Sequence, residues 1–354
     1  MKRILFLIGL VFSITQAYSQ GCIAVRHMAC ASGRVNNGTS TMLDGQWQFT
    51  TGYRYLHSYK HFVGKEEQPQ RVAEGTDVRN WSHSFDFGLS YAVNDRLNIA
   101  LNMPYNDNAR SSLYEHYGNS VEVNPERKRF FTYSRGIGDL RLTSTYWVLD
   151  PNTHLKGNFA IGLGVKAPTG DANVQGDFYK LDKNKKEYIL SKAVDQSIQL
   201  GDSGWGASIE IQGYQSVFKN ATVYYNGFYL FSPKGVNEQT GLSVPDQFAG
   251  RIGMNYNILP KKGLALSLGG RVEGLPAIDA IGNSEGSRRP GYIVSIEPGV
   301  VWMNSRHTVA VSTPYALIRN RIKSWSDRQD PAGLKHGDAA FADYFVSATY
   351  SYRF

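Results

Sequence analysis

Two cysteines in 354 residues exclude a disulfide-dense scaffold, and no Cys-x-x-Cys-His is present to attach haem. Beyond the first residues no apolar run reaches 18, so no helix is predicted to cross a bilayer. No P-loop occurs. Gly162, Gly164 and Ala167 match a degenerate dinucleotide fingerprint, but Pro168 and Gly170 follow at once, where that fingerprint needs a helix N-terminus for the pyrophosphate. Histidines number eight and are scattered from His27 to His336, with no pattern of a Ser-His-Asp cluster. Acidic residues are outnumbered, 30 against 38 Lys and Arg, yet the basic excess is spread out. Its densest clusters, "ERKRF" and "KNKKE", read as solvated loops and not as a nucleic-acid surface. No metal, cofactor or catalytic set is expected, and the chain reads as a non-enzyme.

What is present is tyrosine (22), glycine (36) and alternation. The first residues, "MKRILFLIGLVFSITQAYSQ", combine Lys2 and Arg3, a short apolar stretch and a small-x-small site at Ala17 and Ser19. They read as a signal peptide over 1–19, leaving Gln20 first. An exported chain makes a local Cys22–Cys30 disulfide the expected state, with lipidation of Cys22 the alternative. His27 and Met28 between them are possible soft-metal ligands, a weaker reading.

From residue 46 onward large and small residues alternate with period two, the signature of strands. "WSHSFDFGLSYAV" puts Trp81, Phe85, Phe87 and Leu89 on one face and Ser84, Asp86, Gly88 and Ser90 on the other. Asn94 and Asp95 alone separate it from "RLNIALNM", a two-residue hairpin. Twelve strands are predicted: 46–60, 81–93, 96–105, 138–149, 155–167, 204–215, 221–232, 247–258, 264–273, 291–303, 307–318 and 343–354. Short turns (94–95, 150–154, 216–220, 259–263, 304–306) alternate with long loops (61–80, 106–137, 168–203, 233–246, 274–290, 319–342). The expected fold is therefore all-β: one antiparallel transmembrane barrel of about 12 strands (12–14), short periplasmic turns and long extracellular loops, in the bacterial outer membrane. Its domains are the signal peptide 1–19, a periplasmic or plug segment 20–45 and the barrel 46–354.

Charges on the small-residue face would cost about 2–4 kcal/mol in lipid, so they are assigned to the lumen. They are Arg54, Asp86, Asp139, Arg141, Lys166, Glu210, Arg251, Arg271, Glu273 and Glu297. Two readings stay open: ion pairs that fill the barrel, or the lining of a solute path. Glycines on the same face leave space beside the wall. Pro104, Gly162, Gly164, Pro168 and Pro298 are candidate breaks for a sideways opening, and Pro168, Thr169, Gly170 and Asp171 begin the longest loop.

The stretches "YAVNDRLNIALNMPY", "GIGDLRLTSTYWVL", "GLGVKAPTGD" and "GDSGWGASIEIQGY" occur in that order across about residues 80 to 230. Together with a terminal strand ending on Phe354, they resemble an outer-membrane family labelled for the meta pathway of phenol degradation. That family is related to the long-chain fatty acid transporters. Asp202 stands ahead of the family's serine in Gly201–Trp205, and the transporters' Asn-Pro-Ala plug motif is absent. The resemblance implies passive uptake or export of small hydrophobic or aromatic compounds, with outer-membrane lipid as neighbour. It also implies delivery by the barrel-assembly machinery through the strand ending at Phe354. A ligand-binding or structural barrel without transport is the alternative, and an outer-membrane hydrolase a more distant one.

Overall fold

The computed structural model describes residues 20–21 and 42–354. Residues 1–19, Cys22, Cys30, and most of the expected plug segment lie outside the described residues.

Twelve antiparallel strands close on themselves. They are β1 Trp47–Ser58, β2 Arg79–Ala92, β3 Leu97–Ser112, β4 in two pieces (Phe130–Ile137 and Leu140–Trp147), β5 Gly157–Ala167 and β6 Gly206–Phe218. There follow β7 Ala221–Phe231, β8 Gln247–Leu259, β9 Leu264–Leu275, β10 Gly291–Asn304, β11 in two pieces (His307–Ser312 and Tyr315–Asn320) and β12 Phe345–Arg353. Closure is the β1–β12 ladder, in register from Gln48↔Arg353 to Leu56↔Phe345. The expected strand count holds.

Alternation sets the two faces. Leu101, Leu163, Ile209, Ile252, Leu268 and Val300 are exposed on the outside, while their sequence neighbours are buried or half-buried on the inside. An all-round belt of exposed apolar side chains is what a lipid slab requires. Aromatic rings mark both margins. Trp47 packs on Tyr91, and His307, Tyr350, Tyr352 and Phe354 form a row at the short-turn rim. His57 stacks on Trp81, and His83 hydrogen-bonds Tyr53 at 2.9 Å and packs on Tyr55, toward the other rim. Trp47 and His57 are separated by ten residues. At about 3.3 Å per residue and a tilt of roughly 40° that spans about 25 Å, the height of a bilayer's apolar band.

The loop expected at 106–137 is a correction. Strand β3 runs on to Ser112, and its Tyr105–Ser112 part pairs with Phe130–Ile137, which carries the wall on past the predicted end of the strand. "YNDNARSS" is polar on both faces, because above the bilayer nothing demands an apolar side. The longest loop likewise holds a hairpin, Gln175–Leu181 with Glu187–Ala193.

A small sheet covers the long-loop mouth. Ala339–Phe341 pairs with Lys60–Val63, which pairs with Glu66–Glu67. Gln20–Gly21 runs parallel to Ala339–Ala340 on its free edge. Phe62 and Phe341 meet edge to face and pack against Ile293, Ala316 and Leu275 of the wall.

At the short-turn rim Gly263 closes the β8–β9 turn with φ +69°. A Cβ there would lie 1.7 Å from the Met303 carbonyl oxygen. Gly263→Ala is expected to cost more than the roughly 1–2 kcal/mol of a left-handed alanine alone, read as a lowered urea midpoint of the folded barrel.

Candidate functional site

The lumen is built from the inward-facing positions. All ten predicted charges lie on the inner side, and eight of them are at most 9% exposed, the other two being Glu210 and Arg251. They are organised by contact. Arg141 bonds Glu210 at 2.8 Å and Ser208 at 3.1 Å, with its guanidinium 5.1 Å from the Phe228 ring centre. Asp86 lies in the field of both Arg54 and Arg141. Arg54 and Arg271 share one ring, Phe345, at 5.7 and 4.8 Å. Arg271 reaches Glu273 at 2.7 Å and Glu297 at 3.9 Å. Glu297 also takes Arg251 at 2.7 Å and Ser312 at 2.8 Å, and Arg251 lies over Tyr224. From Glu210 to Tyr224 this is one connected septum at the waist of the barrel. Charged pairs in a lumen this enclosed interact far more strongly than exposed ones.

The remaining pair, Asp139 and Lys166, belongs to a second feature that the sequence motifs converge upon. Asp139 sits in the interruption of β4, not on a strand. Lys166 bonds Asp139 at 3.2 Å and also contacts Asp202. Asp139 accepts the Gly170 N–H at 3.0 Å, while Thr169 takes the Leu140 N–H at 2.9 Å and donates to the Gly138 carbonyl at 3.1 Å. A Cβ on Gly170 would meet the Leu200 carbonyl at 2.8 Å, and one on Gly201 the Gly170 carbonyl at 2.4 Å. Thus Gly138–Asp139, Pro168–Asp171 and Gly201–Asp202, far apart in sequence, form one clasp. Glycine is needed at 170 and 201 because two backbones touch there. Asp171 helps hold the loop by accepting the Asn173 N–H, its carbonyl taking that of Gly201.

The clasp seals a real break in the wall. Beside Pro104, β3 changes partner from Leu140–Trp147 to Phe130–Ile137, and the Pro104 carbonyl takes the Gly138 N–H at 2.8 Å. Pro298 has the same arrangement: β10 passes from His307–Ser312 to Tyr315–Asn320, and the Pro298 carbonyl takes the Thr313 N–H at 3.1 Å. At Gly162 and Gly164, by contrast, the ladders to β4 and β6 are continuous, and Pro168 lies just past the end of β5. Those two glycines are not breaks. Nor do the inner glycines leave empty space: Ser208 and Thr143 flank Gly164, and the Tyr224 hydroxyl covers Gly253 and Gly269.

Toward the short-turn rim the lining is mostly amides, with Gln48, Asn98, Asn158, Gln212 and Asn226 buried, a cluster of Trp147, Tyr214 and Tyr224, and one guanidinium, that of Arg353, 3.5 Å from Gln48. Trp147 was missed from sequence, although it shares the parity of Arg141, Thr143 and Thr145. Toward the long loops the inner wall is apolar on one side, with Leu56, Ile293, Ala316 and Phe345, and polar on the other, with Asn80, Ser84, Asn106, Asn108 and Arg110.

A Gly-x-Ser-x-Gly spacing does occur, at 282–286, but in the β9–β10 loop and without a following helix. Ser284 there is bonded to Asp279 and has no histidine among its hydrogen-bond partners. His61 is bonded through both ring nitrogens, to Asp338 and to the Val78 N–H.

No family model matches the sequence, and no curated protein is similar to it. Among solved structures, an outer membrane channel from Pseudomonas putida F1 aligns at TM-score 0.58 and 12% identity, over 90% of this chain and all (100%) of that one. The CymD monoaromatic hydrocarbon channel (0.44, 12% identity, 94% of each chain) and the P. putida toluene transporter TodX (0.43, 11%, 90% of this chain and 92% of that one) align less closely. The chain therefore has the fold of an outer-membrane channel barrel.

Proposed function

We propose that this barrel is a passive outer-membrane channel for small hydrophobic or aromatic compounds, and not an enzyme. The observation that carries the reading is the graded inner wall. A one-sided apolar patch (Leu56, Ile293, Ala316) lies under the long loops, arginines backed by Phe228 and Phe345 cross the lumen below it, and amides joined by Arg353 lie toward the short-turn rim. An apolar ring can bind the first once Phe62 and Phe341 of the mouth sheet lift from it, exchange against Phe228 or Phe345 at the second, and leave through the third. The named lumen and clasp side chains bring five cations and seven carboxylates, so no single-sign field selects ions. Diffusion down a gradient needs no cofactor. Residues 20–45 are proposed as a plug, supported by the pairing of Gln20–Gly21 with the mouth strand. The strand ending at Phe354 is proposed as the segment that the assembly machinery reads.

Removing residues 20–45 is expected to raise single-channel conductance in planar bilayers, with block by added monoaromatic solute. No conductance in either form would overturn the aqueous path. A sideways exit is favoured by one observation, the break at Pro104 beneath the clasp. Solute uptake into liposomes by a barrel whose axial conductance is nil would support that route.

A further inference from the structure

The small sheet over the long-loop mouth is fastened by histidine. The His61 ring is fully buried. Its Nδ1 lies 2.8 Å from Asp338, and its Nε2 accepts the Val78 main-chain N–H at 2.8 Å. A main-chain N–H can only donate, so Nε2 is the bare nitrogen and the proton sits on Nδ1. This one ring ties three places together: the Lys60–Val63 strand, the entry to β2, and the residue that leads into the mouth strand Ala339–Phe341. A proton added at Nε2 would set two donors against each other inside a dry site. The charged groups facing the ring are Asp338, which would welcome the proton, Arg71, 3.6 Å from the same carboxylate, and Asp77.

A second ring repeats the design. Nδ1 of His116 accepts the Tyr179 main-chain N–H at 3.2 Å, tying the turn after β3 to the Gln175–Leu181 hairpin. Phe130, Phe178 and Tyr179 surround it. The charged groups that act on it are Lys180, Lys192 and Arg110, the last paired with Glu115 at 2.8 Å.

We infer that these two histidines are latches that acid releases: each must give up a main-chain N–H to take a proton, so acidification opens the mouth of the barrel. Burial holds His61 below the usual imidazole range, and burial with the three cations pushes His116 down to about 4. The sign follows. The closed mouth binds fewer protons than the open one, so closure is complete above the ordinary histidine value of about 6.5. It then weakens by up to roughly tenfold per pH unit per histidine as pH falls toward the closed-state values. That a looser mouth passes more solute rests on the channel reading; the latch itself does not.

Hydrogen exchange of the full chain in nanodiscs at pH 7.5 and 5.0, normalised to intrinsic rates, tests the latch. Protection of 60–78 and 338–343, and of 113–118 and 175–181, is expected to fall tenfold or more at pH 5.0. The lipid-level part of β3 serves as the unchanged reference. In His61→Gln the first pair of segments should lose its pH response while the second keeps it. Only the response is read, so a uniformly weaker mouth remains informative. If that variant does not assemble, the ¹⁵N imidazole signals of the wild type report whether Nε2 gains its proton together with opening. Equal wild-type protection at both pH values, or a response that survives in His61→Gln, would overturn the latch. Acid opening without a rise in conductance would support the latch and overturn the mouth as the barrier to passage.

Discussion

Replacing Lys166 with methionine should destabilise the barrel by about 3–5 kcal/mol, the usual result of stripping one partner from a buried ion cluster. Methionine keeps most of the volume, so the loss is electrostatic and not a cavity. Lys166 is 1% exposed and stands between Asp139 and Asp202. Without it two carboxylates face each other beside the Gly170 and Gly201 backbones. One of them must then hold a proton or swing out, and the clasp over the β4 break loosens. Urea denaturation should show a lowered midpoint at neutral pH that partly recovers on acidification, as one carboxylate becomes neutral. Proteolysis should reach 168–203 sooner than in the wild type. A midpoint unchanged at neutral pH would mean that the pairing carries no weight. Asp202→Asn alone should cost less, because Lys166 keeps Asp139.

Phe345→Ala should have the largest effect on conductance. Two guanidiniums, Arg54 and Arg271, lie 5.7 and 4.8 Å from its ring centre, and it is 4% exposed among Leu56 and Ala342. Truncating a buried phenylalanine costs about 3–5 kcal/mol in a close-packed core. Here it also removes the surface on which two cations rest, and the septum loses its centre. Conductance should rise severalfold, and block by an aromatic solute should weaken because the stacking partner is gone. Phe345→Tyr keeps the ring and should leave both nearly unchanged. If Phe345→Ala conducts as the wild type does, the septum does not limit passage.

Period-two alternation, short turns and the ban on charge in lipid were enough to predict twelve strands and the inward side of Asp86, Arg141, Lys166 and Arg271. Those signals exist because a lipid slab punishes every error in facing. They stop where the slab stops. The upper half of β3 carries "YNDNARSS", polar on both faces, and leaves no apolar stripe to read, although "FFTYSRGI" opposite it turns Phe131, Tyr133 and Ile137 outward. The mouth strand Ala339–Phe341 is three residues long, too short for any period to show.

Sequence by itself determined the architecture, since a closed barrel is the way alternating strands satisfy every main-chain group in a bilayer without a free edge. Tertiary structure alone decided the rest. It joined Gly138, Gly170 and Gly201 into one clasp, put two arginines against one phenylalanine, and gave His61 and His116 main-chain N–H groups to hold. Each of these depends on which residues meet across the lumen or between loops. Such contacts join positions tens to hundreds of residues apart, and no local pattern encodes them.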